Sequence, residues 1–265
     1  MFAQIRHMAI VTSNANTEGD FYRDAFDMRR SSLQRAGGAV VVSDGYVGLN
    51  LNPRAPGRQA GFDHFGFEVE DVEQVFDRLK NRYPKIEVLK RPSNRPFAGI
   101  STHDPAGNVF DLSQLNMENR RDLYTEKIEE RKRRISHFGL RCVEPEQCAE
   151  FYRDIFELTE LEKPAGDPNH YLSDGKVTLA IMPWKISDFY GSGIERPALD
   201  HIGFKVESMA AFKADLEKCG HLFPKEDRPE KNPEREVRQK LLAACCFGQF
   251  QMSDPDGVLI DVAEN

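Results

Sequence analysis

Four segments of the chain open with the same alternation of apolar and polar positions. In the second segment, Phe65, Phe67 and Val69 share one parity, while His64 and Gly66 share the other. A period of two predicts a β-strand with one buried face. The four segments span 5–10, 62–67, 135–140 and 199–204, and the third position of each is a histidine: His7, His64, His137 and His201.

A pattern with helical period follows each of these strands. In the second unit, Val72, Val75 and Leu79 form an apolar stripe, and Asp71 with Gln74 resembles a capping box at its start. The first and third predicted helices share the sequence motif Phe-Tyr-Arg-Asp, at 21–24 and at 151–154. We interpret their aromatic pairs as packing between helix and sheet.

Turn signals then divide the rest of each unit into strands. Ser-Asp-Gly occurs at 43–45 and 173–175, and an Asp-Pro-x-Gly turn occurs at 104–107 and 254–257. The sequence therefore predicts an α+β fold of four βαβββ modules. We expect two domains, at 1–116 and 135–265, joined by a charged linker helix at 117–134 with a solvated basic end. Whether the units pair in chain order or exchange partners stays open.

Composition excludes several classes of function. The 265 residues are 40% hydrophobic and 30% charged, with a formal net charge of −7. Neither a basic nucleic-acid footprint nor an apolar run of membrane-spanning length is present, and the N-terminus does not resemble a signal peptide. Five cysteines without metal-type spacing, including the adjacent Cys245 and Cys246, favour a reduced, cytoplasmic setting. The proline-rich insertion at 224–240 predicts a surface loop or a lid over a site.

Strand parity places the histidines on the polar, glycine-lined faces of the strands, except that His7 shares its parity with Ile5 and Ala9. The closing strands of units two and four add Asp111 and Asp261, where units one and three have Asn50 and Ala180. A carboxylate inside an apolar strand needs a partner, and a metal ion is an economical one. We therefore predict two His2Asp metal sites, a ligand set typical of non-haem Fe(II) oxygenases and compatible with other divalent metals. They are His7, His64 and Asp111, and His137, His201 and Asp261. The alternative is that these residues are hydrogen-bonded remnants of the fold without metal.

The four units, the histidine slot and the repeated helix and turn motifs resemble the vicinal-oxygen-chelate superfamily of glyoxalases, bleomycin-resistance proteins and extradiol dioxygenases. The resemblance implies that paired units form cup-shaped, curled sheets with helices outside and a divalent metal inside. It carries the metal-ligand role onto the six residues above, with Asp in place of the usual Glu. Two-domain relatives usually keep the C-terminal site, so the resemblance slightly favours that set. Fe(II) is the favoured metal, and Mn, Zn, Ni or Co are alternatives.

The resemblance leaves three function classes open. The first is a dioxygenase acting on a catechol-like or vicinally oxygenated small molecule, and the second is a glyoxalase- or epimerase-type lyase or isomerase. The third is a small-molecule-binding protein without chemistry. The usual tyrosine before the Asp-Pro turn is replaced by Ser101 and Gln251, so we expect His170, Tyr171 or His103 to serve as acid–base groups. We expect a small-molecule substrate, no nucleic-acid or membrane partner, and a layout compatible with a homo-oligomer.

Overall fold

A computed structural model describes residues 1–33, 36–117, 123–124, 131–191, 194–220 and 248–265 of the chain. These residues form two mixed β-sheets, one from each half of the sequence, with helices packed against them. The predicted insertion at 224–240 and the pair Cys245 and Cys246 lie outside the described residues. No helix in the described part of the chain has the length and apolar character needed to cross a membrane.

The first half builds an eight-stranded sheet with the order β2-β3-β4-β1-β5-β8-β7-β6. Its strands are β1 (Ala3–Thr12), β2 (Arg29–Arg30), β3 (Val40–Ser43), β4 (Gly48–Pro53), β5 (Gly61–Val69), β6 (Val88–Lys90), β7 (Ile100–His103) and β8 (Val109–Gln114). Its helices are α1 (Ala15–Phe26) and α2 (Val72–Arg82).

The second half builds a seven-stranded sheet with the order β10-β11-β12-β9-β13-β15-β14. Its strands are β9 (Arg134–Cys142), β10 (Thr159–Glu160), β11 (His170–Ser173), β12 (Thr178–Pro183), β13 (Ala198–Val206), β14 (Phe250–Ser253) and β15 (Leu259–Glu264). Its helices are α3 (Pro145–Phe156), α4 (Ile186–Gly191) and α5 (Met209–Lys218).

The opening strands lie at the centre of each sheet. β1 pairs antiparallel with β5, and β9 pairs antiparallel with β13. Unit one therefore shares a sheet with unit two, and unit three with unit four, which confirms the predicted α+β class. Asp71 caps α2 as predicted, because its side chain accepts a hydrogen bond from the Gln74 amide at 3.1 Å.

The helix-facing sides of the two sheets share one hydrophobic core. Phe26 of α1 stacks on Phe204 of β13 with ring centroids 3.8 Å apart. The equivalent pair in the other direction is Phe156 of α3 on Phe67 of β5, at 4.1 Å. The aromatic residues of the helices therefore pack against sheets as predicted, and in these pairs the sheet belongs to the other half of the chain.

The repeated polar motifs also join the halves. Tyr22 donates a hydrogen bond to Asp254 at 3.0 Å, and Tyr152 donates one to Asp104 at 2.9 Å. The aspartates of the two Ser-Asp-Gly turns also bind across the halves. Asp44 accepts a hydrogen bond from the Ile135 amide at 2.8 Å, and Asp174 accepts one from the Ile5 amide at 2.7 Å.

The predicted linker helix falls mainly on 118–122 and 125–130, outside the described residues. Its basic end differs from the expectation of a solvated helix terminus. Arg133 is 4% exposed, donates to the carbonyl of Ala25 at 2.8 Å, and forms ion pairs with Glu207 and Asp215. The guanidinium is buried because it joins α1 to the fourth unit.

Candidate metal centre

A β-bulge corrects the parity of the first strand. Ile5 pairs with Phe67 and His7 pairs with Gly66, so Arg6 is an extra residue in β1. Because a bulge shifts the alternation by one residue, Ile5 enters the core while His7 reaches the opposite, inner face. The same shift at Ser136 separates Ile135 from His137 in β9. All four opening-strand histidines thus come to the inner faces of their sheets.

A second bulge places an aspartate beside the histidine in units two and four. Asp63 and Asp200 are the extra residues in β5 and β13. Asp63 Oδ2 accepts from His64 Nδ1 at 2.7 Å, and Asp200 Oδ2 accepts from His201 Nδ1 at 2.8 Å. A carboxylate on Nδ1 fixes the ring, so that Nε2 is the nitrogen that could coordinate a metal.

His7, His64 and Asp111 form a compact group in the first sheet. One ligand atom from each of them lies within 4.8 Å of the others, which is a group able to hold a metal ion. His64 Nε2 lies 3.2 Å from both His7 Nε2 and Asp111 Oδ2, and His7 Nε2 lies 3.9 Å from Asp111 Oδ2. The two imidazoles and the carboxylate predicted from the sequence are therefore brought together.

The electrostatics of this group suit a cation. Burial disfavours the charged form of His64, but hydrogen bonds and charges from Asp111 and Asp63 outweigh it and raise the pKa of His64 to about 9. Burial opposes the ionised form of Asp63, yet the contacts with His64 and Arg58 hold the pKa of Asp63 below its usual value. The site therefore stabilises positive charge at the position where a metal would bind.

Three further residues surround the group: Phe97, Ser101 and Arg91. The sequence did not predict that they contact the candidate ligands. Phe97 stacks on His7 with ring centroids 4.8 Å apart and planes 9° apart. Its backbone φ is 55°, which is rare for a bulky residue and is found where surrounding structure imposes it. Ser101 donates to Asp111 Oδ1, and Arg91 donates to Ser101 Oγ at 2.6 Å.

His137, His201 and Asp261 are arranged differently in the second sheet. His137 Nε2 lies 3.3 Å from Asp261 Oδ2, and Gln251 donates to Asp261 Oδ1 at 2.8 Å. The His137 and His201 ring centroids lie 5.2 Å apart, as do those of His7 and His64, but the ring planes meet at 71° in the second sheet and at 45° in the first. Among the described residues, these three do not form a group whose ligand atoms all lie within 4.8 Å. Burial lowers the pKa of His137, although Asp261 opposes this.

Glycine positions account for the difference between the two sheets. A Cβ at Gly139 would lie 2.3 Å from His201 Cε1, so the His201 ring occupies the space above the neighbouring strand. In the first sheet the strand position opposite His64 is Ala9. Its methyl group blocks that space, and His64 instead extends toward His7. His201 is fully buried, whereas the His64 side chain is 19% exposed.

A buried ion pair also distinguishes the second sheet. Arg141 Nε donates to Asp200 Oδ1 at 2.9 Å, and both side chains are almost completely buried. Burial opposes the ionised carboxylate, but the contacts with His201 and Arg141 hold the pKa of Asp200 well below its usual value. In the first sheet, the position equivalent to Arg141, four residues after the histidine, is Val11.

The three predicted acid–base residues occupy different places. His170 lies on the helix-facing side of β11, where it pairs with Glu160 at 2.8 Å and Glu146 at 3.3 Å. Tyr171 is on the inner face of the second sheet, in register with Ala180, and donates to Asp167 at 2.9 Å.

His103 is on the inner face of the first sheet, two residues after Ser101. Its Nε2 accepts from the Glu87 amide at 3.2 Å, and its Nδ1 donates to the Asp104 carbonyl at 2.8 Å. Of the three predicted acid–base residues, His103 is therefore the one that shares a face with His7, His64 and Asp111.

Comparisons with known proteins agree with this architecture. Residues 4–112 match the model of the Glyoxalase/Bleomycin resistance protein/Dioxygenase superfamily. No curated protein matches the chain by sequence.

Solved structures with the same fold include three proteins of low identity. A xylose isomerase-like TIM barrel/4-hydroxyphenylpyruvate dioxygenase fusion protein has a TM-score of 0.62 and 11% identity, over 100% of this chain and 49% of its own. The chain thus spans about half the length of that protein. A mutant of 4-hydroxymandelate synthase from Streptomyces coelicolor has a TM-score of 0.65 and 14% identity, over 99% of this chain and 92% of its own. The 2,3-dioxygenase LapB from Pseudomonas sp. KL28 has a TM-score of 0.64 and 13% identity, with coverage of 99% and 92%.

The structural likenesses concern the fold, and the family match concerns the first half, where the compact His2Asp group lies. The second sheet repeats the same module, and residues 4–112 form a domain of the glyoxalase/bleomycin resistance protein/dioxygenase superfamily.

Proposed function

We propose that the chain is a metal-dependent enzyme, dioxygenase-like in its chemistry, with His7, His64 and Asp111 as its metal ligands. Its substrate would be a catechol-like or otherwise vicinally oxygenated small molecule. The observation that carries the proposal is the placement of three ligand atoms within 4.8 Å of one another. His7 is 1% exposed and Asp111 is 5% exposed, and buried charge of this kind requires compensation.

The donor set fits a divalent metal. Two imidazole nitrogens and one carboxylate oxygen are the ligands of non-haem Fe(II) oxygenases, and Mn, Zn, Ni or Co accept the same donors. When bound, such a metal supplies a Lewis-acid centre for two substrate oxygens and, as Fe(II), a route for electrons to O2. A set of three protein ligands leaves coordination positions open for the substrate oxygens and O2. Asn50, in the row of Ala9 and His64, occupies the place where glyoxalase-type relatives would carry a further ligand.

The surrounding residues prepare the site in distinct ways. Asp63 holds the His64 ring with Nε2 toward Asp111. Ser101, itself bound by Arg91, holds one oxygen of Asp111 and thereby orients the other. Phe97 covers the face of His7 and excludes water from that side. For proton transfer we propose His103, which lies on the same inner face and would have to release its hydrogen bond with the Glu87 amide or the Asp104 carbonyl in order to act.

The second His2Asp set is the weaker candidate. His137 and Asp261 are close to each other, but Asp200 and Gly139 hold His201 in a different arrangement. We therefore propose one metal ion per chain, in the first sheet, which reverses the slight preference for the second sheet that the resemblance implies.

A matched pair of substitutions tests this assignment. Protein purified anaerobically and loaded with Fe(II) is expected to hold about one metal per chain by elemental analysis. Asp111→Asn should abolish binding, and Asp261→Asn, the equivalent change in the other sheet, should leave it unchanged. Metal loss in Asp261→Asn together with full occupancy in Asp111→Asn would overturn the assignment.

The reaction class needs a separate measurement. O2 uptake by the Fe(II)-loaded protein, measured with a small catechol panel, should exceed that of Asp111→Asn. Product formation without O2 uptake would instead support the lyase or isomerase class.

A further inference from the structure

The connection between β6 and β7, residues 91–99, lies over the candidate metal centre. Its first five residues are exposed, whereas Pro96 and Phe97 are buried. The Phe97 ring stacks on His7 and lies against Gly66 of β5, where an added Cβ would come within 2.9 Å of Phe97 Cδ1. Because glycine leaves this space free, the inner face of the sheet accommodates the ring. The connection therefore has a polar outer side and an apolar tip that fits into the sheet.

Hydrogen bonds within the connection close its base. The Arg91 amide donates to the Gly99 carbonyl at 2.7 Å, and the Ala98 amide donates to the Arg95 carbonyl at 3.3 Å. Arg91 Nε also donates to the Ala98 carbonyl, at 3.2 Å. Since both partners of each bond belong to the connection, it can move about its two ends without breaking them, as a compact loop with neighbouring ends does.

The backbone at the tip of the connection is held in an unfavourable conformation. Phe97 has a φ of 55°, which a bulky residue adopts only where surrounding contacts impose it. The contacts of its ring with His7 and Gly66 offset this strain, and the strain is relieved when the tip leaves the sheet. Strained segments of this kind are common at ligand clamps and switch regions, where they help a segment to adopt two positions.

The side chain of Arg91 joins the connection to one of the candidate ligands. Its Nη2 donates to Ser101 Oγ at 2.6 Å, and Ser101 donates in turn to Asp111 Oδ1. Arg91 Nη2 lies 3.9 Å from the same carboxylate oxygen. One guanidinium therefore contacts the connection through Nε and the Ser101–Asp111 pair through Nη2, and it holds the two together.

We propose that residues 91–99 form a lid over the candidate metal centre, and that Arg91 holds this lid closed through Ser101 and Asp111. In the open position the lid uncovers the ring face of His7 and the space above Gly66, so that a small organic molecule can reach them. Lids of this kind control the access of water and substrate to a reacting centre. The purpose of the lid rests on the proposed function, but its opening does not.

Diethyl pyrocarbonate tests the lid in chelator-treated protein, because it modifies accessible imidazoles and mass spectrometry locates the modified residue. His7 is 1% exposed, so its modification reports opening of the lid. The initial rate is divided by that of His64, whose ring contacts the same carboxylate and whose side chain is 19% exposed. This ratio removes effects of a substitution on the reactivity of both rings. His201 of the second sheet is fully buried and should stay unmodified, which shows that the protein remains folded.

Arg91→Gln should raise the ratio of His7 to His64 modification about tenfold, since the lid loses its charge-assisted hydrogen bond. Ser101→Ala should raise the ratio as well, although Ser101 lies outside the lid, because it removes the acceptor that Arg91 uses. Arg95→Gln is the matched control, since Arg95 is an exposed arginine of the same lid, and it should leave the ratio unchanged.

Unaltered ratios in Arg91→Gln and Ser101→Ala would overturn the proposal, as would an equal rise in Arg95→Gln. Modification of His7 as fast as that of His64 in the unaltered protein would also overturn it. The measurement contains no metal. A failure of the metal assignment therefore leaves this result unchanged, and a failure of the lid leaves the metal assignment intact.

Discussion

Asp63 acts on the candidate centre through His64, because its carboxylate holds Nδ1 at 2.7 Å and does not itself belong to the ligand group. Such a partner fixes the ring orientation and raises the basicity of the metal-facing nitrogen. It exists because a bulge turns two consecutive side chains toward each other. At the scale of single residues, the site depends on this irregularity as much as on the ligands.

Asp63→Asn should therefore weaken divalent-metal affinity by about 10- to 100-fold. The amide keeps the shape of the side chain but accepts the His64 proton poorly. Zn²⁺ titration against a competing chelator measures the change. Asp200→Asn, at the equivalent bulge of the second sheet, should leave affinity unchanged, and an equal loss in both variants would contradict the assignment.

Phe97 adds a second residue-scale effect, because its ring covers His7. Phe97→Ala should leave the metal stoichiometry unchanged and speed removal of the metal by a chelator about tenfold or more. Stopped-flow measurement with Co²⁺-loaded protein and excess EDTA gives the rate. Removal at the unaltered rate would show that the ring does not control access.

The repeat predicted which residues come together in the candidate site, but it did not predict the bulges in the strands that carry them. The histidine slot and the closing-strand aspartate together identified His7, His64 and Asp111, because the repeat reveals equivalent positions. A bulge adds one residue without any composition signal, so strict alternation wrongly placed Ile5 on the face of His7. Phe97 was missed because it lies in the β6–β7 loop, and nothing in the residue type indicates a positive φ. The sequence did contain a sign of the buried ion pair. Arg141 occupies the position where the equivalent strand of the first sheet has Val11.

At the scale of secondary-structure elements, helix α1 contacts the Asp-Pro turn of unit four. The contact brings Glu18 of the helix close to Asp254 and Asp256 of the turn. Burial and the charges of Asp254 and Asp256 raise the pKa of Glu18 to about 9. Burial is also the main cause that raises the pKa of Asp254 to about 6. A carboxyl with a raised pKa in the folded state stabilises the fold fully below its unfolded value of 4.5, and that stabilisation is lost as pH rises through about 9.

Glu18→Gln should remove much of this pH dependence. The variant is expected to gain on the order of 1 kcal/mol or more relative to the unaltered protein at pH 9, and to gain little at pH 4, since one pH unit of pKa change corresponds to about 1.4 kcal/mol. Urea unfolding at several pH values measures the difference. A gain that is larger at pH 4 than at pH 9 would have the wrong sign.

The strand pair β9–β13 depends on its glycines. A Cβ at Gly203 would lie 1.9 Å from His137 Cε1, so Gly203→Ala forces the ring or the strand to move. We expect a loss of about 1–3 kcal/mol, the usual cost of overpacking. Urea unfolding measures it, and a neutral result would show that the ring is free to leave this position.

At the scale of the whole molecule, the two halves are joined by one core and by reciprocal polar contacts. The stacked pairs Phe26–Phe204 and Phe67–Phe156 cross between the halves in both directions. We propose the boundaries 1–116 and 135–265 for the two domains. With this shared core, however, we expect the halves to unfold together in one cooperative transition.

Tyr22→Phe and Tyr152→Phe test that expectation, because each removes one equivalent hydrogen bond to a buried carboxylate, Asp254 or Asp104. Each should cost about 1–3 kcal/mol, since the acceptor stays buried without its donor. If the halves form one cooperative unit, either substitution shifts the same single transition, seen at one temperature by tryptophan fluorescence and by far-ultraviolet circular dichroism. Trp184 lies in the second half, so its fluorescence should report Tyr22→Phe as strongly as Tyr152→Phe. Two separate transitions, of which each variant moves only one, would mean that the halves fold independently despite the contacts between them.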